Sequence, residues 1–233
     1  MLVLAFDTST PAVTVAVGAI EPREFPEGGW FKFADDGVTV LAMRTEVAAN
    51  RHGELLAPLI SDVLADAGVQ PGDLGAIAVG LGPGPFTGLR VGIMTAKAMA
   101  DALRLPTYGE CSLRLISPGV GGVATNARRK QVYWAIAGSE TNSGPDIASP
   151  EEAAARFAAA HVPTVAGEGP LLYPQAFADL PVLADAVYPR AELLVLRVAE
   201  RVRTNAPSDD LTPLYLRRPD AQPPGKPKLV TPA

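Results

Sequence analysis

Runs and periodic repeats of apolar residues divide the first half of the chain into six predicted elements. Continuous apolar runs indicate strands, and apolar residues recurring at intervals of three and four indicate helices. By these criteria the predicted elements are strands at 2–6, 13–19 and 38–43, a helix at 50–67, a strand at 76–81 and a helix at 89–103. The turn between the first two strands is short, which favours a hairpin. The chain therefore opens on three successive strands and not on a β-α-β unit.

Local signals at the element ends support this division. Asn50 is predicted to cap the first helix, and Glu54 places a carboxylate in its first turn, where the helix dipole favours negative charge. Gly68 is predicted to end that helix and Pro106 the second one. The strand at 76–81 is apolar throughout, which predicts burial on both faces of the sheet.

A weaker strand-and-helix pattern follows in the second half. It predicts paired strands at 123–125 and 131–137, a helix at 151–160, a strand at 163–166 and a helix at 190–203. The chain is therefore expected to be an α/β protein with an N-terminal subdomain at 1–106, a smaller C-terminal subdomain at 107–216 and a proline-rich flexible tail at 217–233. The segment 21–37, rich in Gly, Pro and charge, is predicted to be a long loop.

Composition excludes several classes of protein. With 48% apolar residues, the chain as a whole is not intrinsically disordered. Its net charge of −5 is unlike that of a free-standing nucleic-acid binder, although a local basic patch stays open. The single cysteine excludes an internal disulfide and a multi-cysteine zinc site. Neither a membrane-spanning apolar stretch nor a signal peptide is expected, so the cytoplasm is the expected location.

The turn after the first strand carries the first candidate for chemistry. Its residues are Asp7, Thr8, Ser9 and Thr10. Backbone N–H groups and hydroxyls in such a turn can face a phosphate or nucleotide, while the aspartate orients metal-bound water. The same residue types also form hydrogen-bonded turns that close a hairpin. The residues alone favour the turn, and the phosphate site is the alternative.

The Gly-Pro segment at 80–90 is the second candidate. It connects a buried strand to a helix start, where exposed N–H groups attract anions. Neither the dinucleotide-binding nor the P-loop pattern fits its glycines. Pro83 and Pro85 also remove two N–H groups that a phosphate cradle would use. A rigid connector and an anion site are equally compatible with the residues.

Surplus apolar surface on the two helices indicates an interface. The helix at 89–103 carries charge only at Arg90, Lys97 and Asp101, so it should be covered on two sides. We predict that another polypeptide covers the outer side, although the core of a monomer can also bury such helices. The predicted interface residues are Leu56, Leu59, Ile60, Val63, Leu89, Val91, Met94 and Ala98.

Two further features have weaker functional interpretations. The turn at 126–130 holds three basic residues just before Tyr133 and Trp134, a combination that can contact RNA, although a solvated hairpin tip is commoner. His52 lies near a helix start, but position 56 is Leu56, so the helix lacks an i, i+4 histidine pair. No metal site and no catalytic residue are predicted.

Five segments together resemble the bacterial TsaB (YeaZ) family. They are FDTST at 6–10, RHGELLAPLI at 51–60, GLGPGPFTGLRVG at 80–92, NARRKQVYWA at 126–135 and PLYLRRPDA at 213–221. The glycine-proline block is the most specific of them. The segment 21–37 is longer than the family's usual connection, and Asn126 stands where the family commonly has aspartate.

The resemblance implies both a fold and a role. The fold is that of the actin, hexokinase and Hsp70 class, with two related subdomains, the second reduced. The role is that of a non-catalytic partner of TsaD in forming N6-threonylcarbamoyladenosine in tRNA. The implied partners are TsaD in a heterodimer, the ATPase TsaE, a second copy in a homodimer, and tRNA through the complex. No tightly bound cofactor is implied, and ATP or ADP at the partner interface stays open.

An enzyme acting alone is the rival hypothesis. It would be a small ATP-binding phosphotransferase or a TsaD-like metallopeptidase. A phosphotransferase needs a second phosphate loop, for which Gly167 to Gly169 is the one candidate. TsaD relatives, by the same resemblance, carry a His-x-x-x-His metal pair in the first helix, where this chain has only His52.

Overall fold

The computed structural model describes residues 1–21, 37–119, 121–137 and 143–217. The strands are β1 (Leu2–Asp7), β2 (Ala12–Ile20), β3 (Val38–Val47), β4 (Leu74–Gly80), β5 (Thr107–Glu110), β6 (Gly121–Asn126), β7 (Val132–Ala137), β8 (Ser143–Ala148) and β9 (Val165–Ala166). The helices are α1 (His52–Asp66), α2 (Phe86–Leu103), α3 (Pro150–Ala159), α4 (Glu168–Leu172) and α5 (Ala191–Arg203). Among the described residues, no helix is long and apolar enough to cross a bilayer.

The first sheet confirms the predicted order of the six opening elements. Its strand order is β3-β2-β1-β4-β5. Strands β1 and β2 pair antiparallel as the predicted hairpin, whereas β4 runs parallel to β1 and β5 runs parallel to β4. Strand β5, which is only four residues long, is not among the predicted elements. The predicted boundary at residue 106 is therefore too early, because β5 belongs to the first sheet.

Helices cover both faces of this sheet. On β1, Leu4 and Phe6 pack in one cluster with the apolar residues of α1 and α2. Val3 and Ala5, which point the other way along the strand, pack against α5. The chain thus returns from its second half to complete the first subdomain. Both α1 and α2 therefore lie on the same side of the sheet, opposite α5.

The interface prediction needs correction for five of its eight residues. Five of them are buried against this chain's own sheet and helices, namely Leu56, Leu59, Ile60, Val63 and Leu89. The strands of the first sheet supply the apolar surface that covers α1, so this face of α1 is core. Of the others, Val91 is partly buried, whereas Met94 and Ala98 are exposed on α2. An interface through these three residues stays a prediction.

The start of α1 also differs from expectation. Asn50 has a φ of +66° and does not cap the helix; Arg51 occupies the cap position, with no side-chain cap hydrogen bond. Arg51 instead pairs with Glu54 at 3.0 Å. The predicted end is confirmed, because Gly68 follows the last turn with a φ of +66°, which favours glycine.

A second sheet of order β8-β7-β6-β9 forms the smaller subdomain. The predicted hairpin is confirmed, with Asn126 opposite Val132 at its closed end. Helix α3 begins with a capping box between Ser149 and Glu152 and packs Phe157 against the sheet. Strand β8 is not among the predicted elements, because its SGPDIA sequence lacks a strand-like alternation.

A C-terminal strap, defined here as residues 204–217, connects the two sheets. Its Asp209 accepts a hydrogen bond from the N–H of Gly109 in β5 at 2.8 Å, and Leu211 is buried in the first core. Its last described residue, Arg217, donates to the side chain of Gln131 in the second subdomain. Residues 22–36 of the predicted loop at 21–37 and residues 218–233 of the predicted tail at 217–233 lie outside the described residues.

Candidate functional site

A cleft of about 570 Å³ opens between the two subdomains. It lies beyond the carboxyl ends of the parallel strands β1 and β4, where open α/β sheets commonly bind ligands. Its lining includes Thr10, His52, Gly88, Asn126, Arg128, Tyr133, Tyr215 and Arg217. A smaller cleft of about 80 Å³ adjoins it and shares Thr10, Pro11, Pro85, Asn126 and Arg128. The site predicted around the first turn therefore lies beside these two clefts, although not all of its residues line them.

Asp7 is fully buried and does not line either cleft. The backbone N–H and the hydroxyl of Ser9 both donate to Asp7 Oδ1 at 2.7 Å. The Ser112 hydroxyl donates to Asp7 Oδ2 and itself accepts the N–H of Gly82 at 2.9 Å. The carboxylate thus joins the first turn to the Gly-Pro segment. The expectation that Asp7 faces a ligand is corrected, because both its oxygens are already engaged.

Burial raises the pKa of Asp7 above its ordinary value of 3.8, and the hydrogen bonds from Ser112 and Ser9 partly oppose this. The folded state therefore holds the Asp7 proton more tightly than the unfolded state. The stability contributed by protonated Asp7 is therefore present below about pH 4 and is lost as pH rises through the pKa of Asp7 in the folded state. We expect Asp7→Asn to gain stability relative to the native chain as pH rises from 4 to 7, measured by urea unfolding.

A matched carboxylate gives the control for this prediction. The hydrogen bond from Arg44 lowers the pKa of Asp66 on the surface of α1. Asp66→Asn should therefore lose stability relative to the native chain over the same rise in pH, and by a small amount because the pair is exposed. An Asp7→Asn difference that stays constant with pH would contradict a raised pKa.

Thr8 also serves the fold and not the cleft. Its hydroxyl donates to the Gly88 carbonyl at 2.7 Å and accepts the Gly92 N–H at 3.1 Å. A Cβ placed on Gly88 would lie 2.5 Å from the Thr8 carbonyl oxygen, so glycine permits the close approach of α2. These contacts favour the connector interpretation of the Gly-Pro segment. The expectation for Thr8 is corrected, whereas Ser9 and Thr10 do line the clefts.

His52 is fixed by the same turn. Its Nε2 lies 2.6 Å from the Thr10 carbonyl oxygen, so this nitrogen donates. One helical turn further on, Leu56 is 1% exposed and packs in the core. Within the described ranges, no three His, Cys, Asp or Glu side chains are grouped as a metal site requires.

The rim of the cleft is formed by residues that are not among the predicted site residues. Tyr215 of the strap stacks on Phe86 at the start of α2, with ring centroids 5.3 Å apart. The Arg90 guanidinium lies 3.9 Å from the centroid of Phe86. With Met94 and Ala98 these side chains follow α2 away from the cleft. We call Phe86, Arg90, Met94 and Ala98 the α2 strip.

Glu168 is a further residue of the cleft that the sequence pattern did not indicate. It begins the short helix α4 and lines the smaller cleft beside Arg128. Burial raises the pKa of its carboxyl group, opposed by a hydrogen bond with the backbone of Asn126. The glycines on either side of Glu168 gave a turn signal without indicating a carboxylate at the cleft.

Comparisons with known proteins agree with this architecture. The family model for TsaD, tRNA N6-adenosine threonylcarbamoyltransferase, matches residues 43–172. Uncharacterized proteins of Mycobacterium tuberculosis and Mycobacterium leprae are 36% and 39% identical, and each alignment covers 95% of this chain. The chain covers 94% of the former but spans only about half the length of the latter, at 56%.

Two further similar proteins carry specific names. The tRNA threonylcarbamoyladenosine biosynthesis protein TsaB of Escherichia coli is 34% identical over 58% of this chain and 54% of its own length. The solved structure of YeaZ from Pseudomonas aeruginosa superposes with a TM-score of 0.70 at 28% identity, covering 92% of this chain and 99% of that one. The predicted fold class and resemblance are both confirmed. The chain belongs to the TsaB (YeaZ) family, which shares its α/β fold with TsaD.

Proposed function

We propose that this chain is a non-catalytic subunit that pairs with TsaD to support the formation of N6-threonylcarbamoyladenosine in tRNA. The match to the TsaD family model and the similarity to the E. coli biosynthesis protein support a role in this modification. Pairing and the lack of catalysis go beyond those similarities. They are argued from helices α1 and α2.

The residue at position 56 carries the non-catalytic part of the proposal. Two metal-binding histidines on one helix face need a spacing such as i, i+4. His52 has Leu56 at that spacing, and Leu56 is buried in the core, away from the cleft. The N–H of His52 Nε2 is also directed at Thr10. The chain thus keeps the TsaD-type fold, but at the two positions of the histidine pair it has His52, bound to the first turn, and Leu56, packed in the core.

The α2 strip carries the pairing part of the proposal. Met94 is 59% exposed although it is a large apolar side chain. Phe86 and Arg90 extend the strip to the rim of the cleft, and aromatic and arginine side chains are enriched at the centres of protein interfaces. A partner seated on this strip would cover Met94 and Ala98 together.

The cleft itself favours a second candidate, a small phosphotransferase acting alone on ATP. Its volume of about 570 Å³ suits a small molecule. The polar groups of Asp7 and Thr8, however, are hydrogen-bonded to Ser9 and Gly88 of this chain, so they do not face the cleft. Steady ATP turnover by the purified chain without any partner would favour this candidate over the subunit.

Co-purification tests the subunit directly. The tagged full chain is expressed with TsaD of the same organism, captured and passed over a sizing column. We expect the two chains to elute together at the mass of a complex. Separate elution, with both chains folded, would contradict pairing. TsaE as a further partner, and ADP or ATP at the interface, belong to the same proposal and are tested by titrating each into the purified pair.

A further inference from the structure

The turn between β6 and β7 has an unusual backbone. Arg128, Arg129 and Lys130 have φ angles of +60°, +52° and +57°. Side chains other than glycine enter this left-handed region at a cost, and such residues cluster at functional sites. All three side chains are exposed, on a chain whose net charge is −5. We call residues 128–130 the basic turn.

The positive surface continues from the basic turn along the cleft to Arg217. Arg128 lines both clefts, and Arg217 lines the larger one. Arg217 is connected to the basic turn through its hydrogen bond to Gln131. The described residues that line the larger cleft include no aspartate or glutamate, and Glu168 is the one carboxylate lining the smaller cleft.

Exposed aromatic rings border the same surface. Phe86 and Tyr215 stack at the rim of the cleft and are each more than 40% exposed. Arg90 lies over Phe86 and 3.4 Å from the Tyr215 hydroxyl. Cations beside aromatic rings are a pattern of nucleic-acid binding, and here the cations carry the argument, because Tyr215 and Arg90 already pack on Phe86.

We infer that the basic turn binds the phosphate backbone of RNA, and that it places this chain in direct contact with the tRNA substrate. The inference rests on the proposed function, which supplies the RNA. Its ligand chemistry is a chain of phosphodiesters and not a single nucleotide. Arg129 and Lys130 lie outside the lining of both clefts, so a nucleotide held in the cleft would not need them.

The double variant Arg129→Gly with Lys130→Gly tests this inference. Glycine adopts the left-handed conformation without steric strain, so the backbone of the turn can keep its conformation, and thermal unfolding of the variant checks the fold. The complex with TsaD should bind tRNA about tenfold less tightly, and the slope of log affinity against log salt should fall by about 0.7–0.9 for each phosphate that the variant no longer neutralises. Fluorescence anisotropy with labelled tRNA measures both quantities.

Arg104→Gly is the matched control. Arg104 also has a left-handed backbone, with a φ of +55°, and it follows the last residue of α2, at the opposite end from the cleft. The substitution removes the same type of charge from the same type of backbone. It should leave tRNA affinity and the salt slope unchanged. An equal loss of affinity in the control would show that the loss depends on net charge and not on the position of the basic turn. That result would overturn the inference.

The remaining outcomes separate the two proposals. A double variant that still pairs with TsaD and binds tRNA with native affinity and slope overturns the RNA contact and leaves the subunit role standing. If the native chain fails to pair with TsaD, the subunit role fails, and tRNA is titrated into the chain alone at low salt. Equal binding by native chain and double variant in that arm overturns the RNA contact. A double variant that loses ATP binding but keeps native tRNA binding also overturns the RNA contact.

Discussion

Met94→Glu is expected to abolish co-purification with TsaD while leaving the chain folded. Met94 is 59% exposed in the middle of the α2 strip, so the free chain tolerates a charge there. In a complex, the glutamate would be buried without a partner, which costs about 3–5 kcal/mol. Since about 1.4 kcal/mol corresponds to a factor of ten, affinity should fall at least about 100-fold. Surface plasmon resonance measures the affinity, and thermal unfolding measures the fold.

Leu196→Glu is the matched control for Met94→Glu. Leu196 is 42% exposed on α5, which packs on the opposite face of the first sheet. The substitution adds the same charge to a similar surface, and it should leave TsaD affinity unchanged. If Met94→Glu pairs as tightly as the native chain, the α2 strip does not face TsaD. If both variants fail to pair, the effect is not specific to the strip.

Val63→Glu is expected to unfold the chain. Val63 is 0% exposed, in the core between α1 and the first sheet. An unpaired charge buried at this position costs about 3–5 kcal/mol, which is comparable with a total folding stability of about 5–15 kcal/mol. The variant should accumulate as insoluble protein, or melt well below the native chain. Circular dichroism of the soluble fraction measures the loss of structure.

Ser61→Glu is the control for Val63→Glu. Ser61 is exposed on the same helix, two residues away, and a surface substitution changes stability by about 0.5 kcal/mol or less. Its melting curve should match that of the native chain. Val63→Glu with native melting and no pairing would place Val63 in an interface, as its sequence pattern indicates, and would contradict the packing of α1.

The order of the opening elements could be predicted because local patterns determine it. The apolar runs that became β1 and β2 are uninterrupted, and the turn between them is too short for any connection but a hairpin. The periodicity of α1 and α2 is equally local. Short or atypical strands carried too weak a pattern, as β5 and β8 show.

The surface that covers α1 could not be predicted, because periodicity reveals an apolar face and not its partner. Phe6 and Val15 of the first sheet cover that face, and their alignment depends on the register of β1 with β2. The apolar residues of α1 therefore looked like an interface in sequence and are core in the fold. On α2, by contrast, Met94 stayed exposed.

The role of the first turn depended on residues far along the chain. The hydroxyls of Thr8 and Ser9 suit a phosphate as well as a turn. What decides between them is Ser112, which follows β5 and hydrogen-bonds to Asp7, and Gly88, which accepts from Thr8. The cleft needed the same long-range information, because Arg128 of the β6–β7 turn and Tyr215 of the strap are far apart in the sequence and line the same cleft only in the fold.

Reconstituted tRNA modification measures the proposed role most directly. TsaD, tRNA and a source of the threonylcarbamoyl group are incubated with and without the full chain, and the modified nucleoside is quantified by mass spectrometry. The subunit role predicts modification only when the chain is present, and none from the chain in place of TsaD. Equal modification without the chain, or modification by the chain without TsaD, would contradict it.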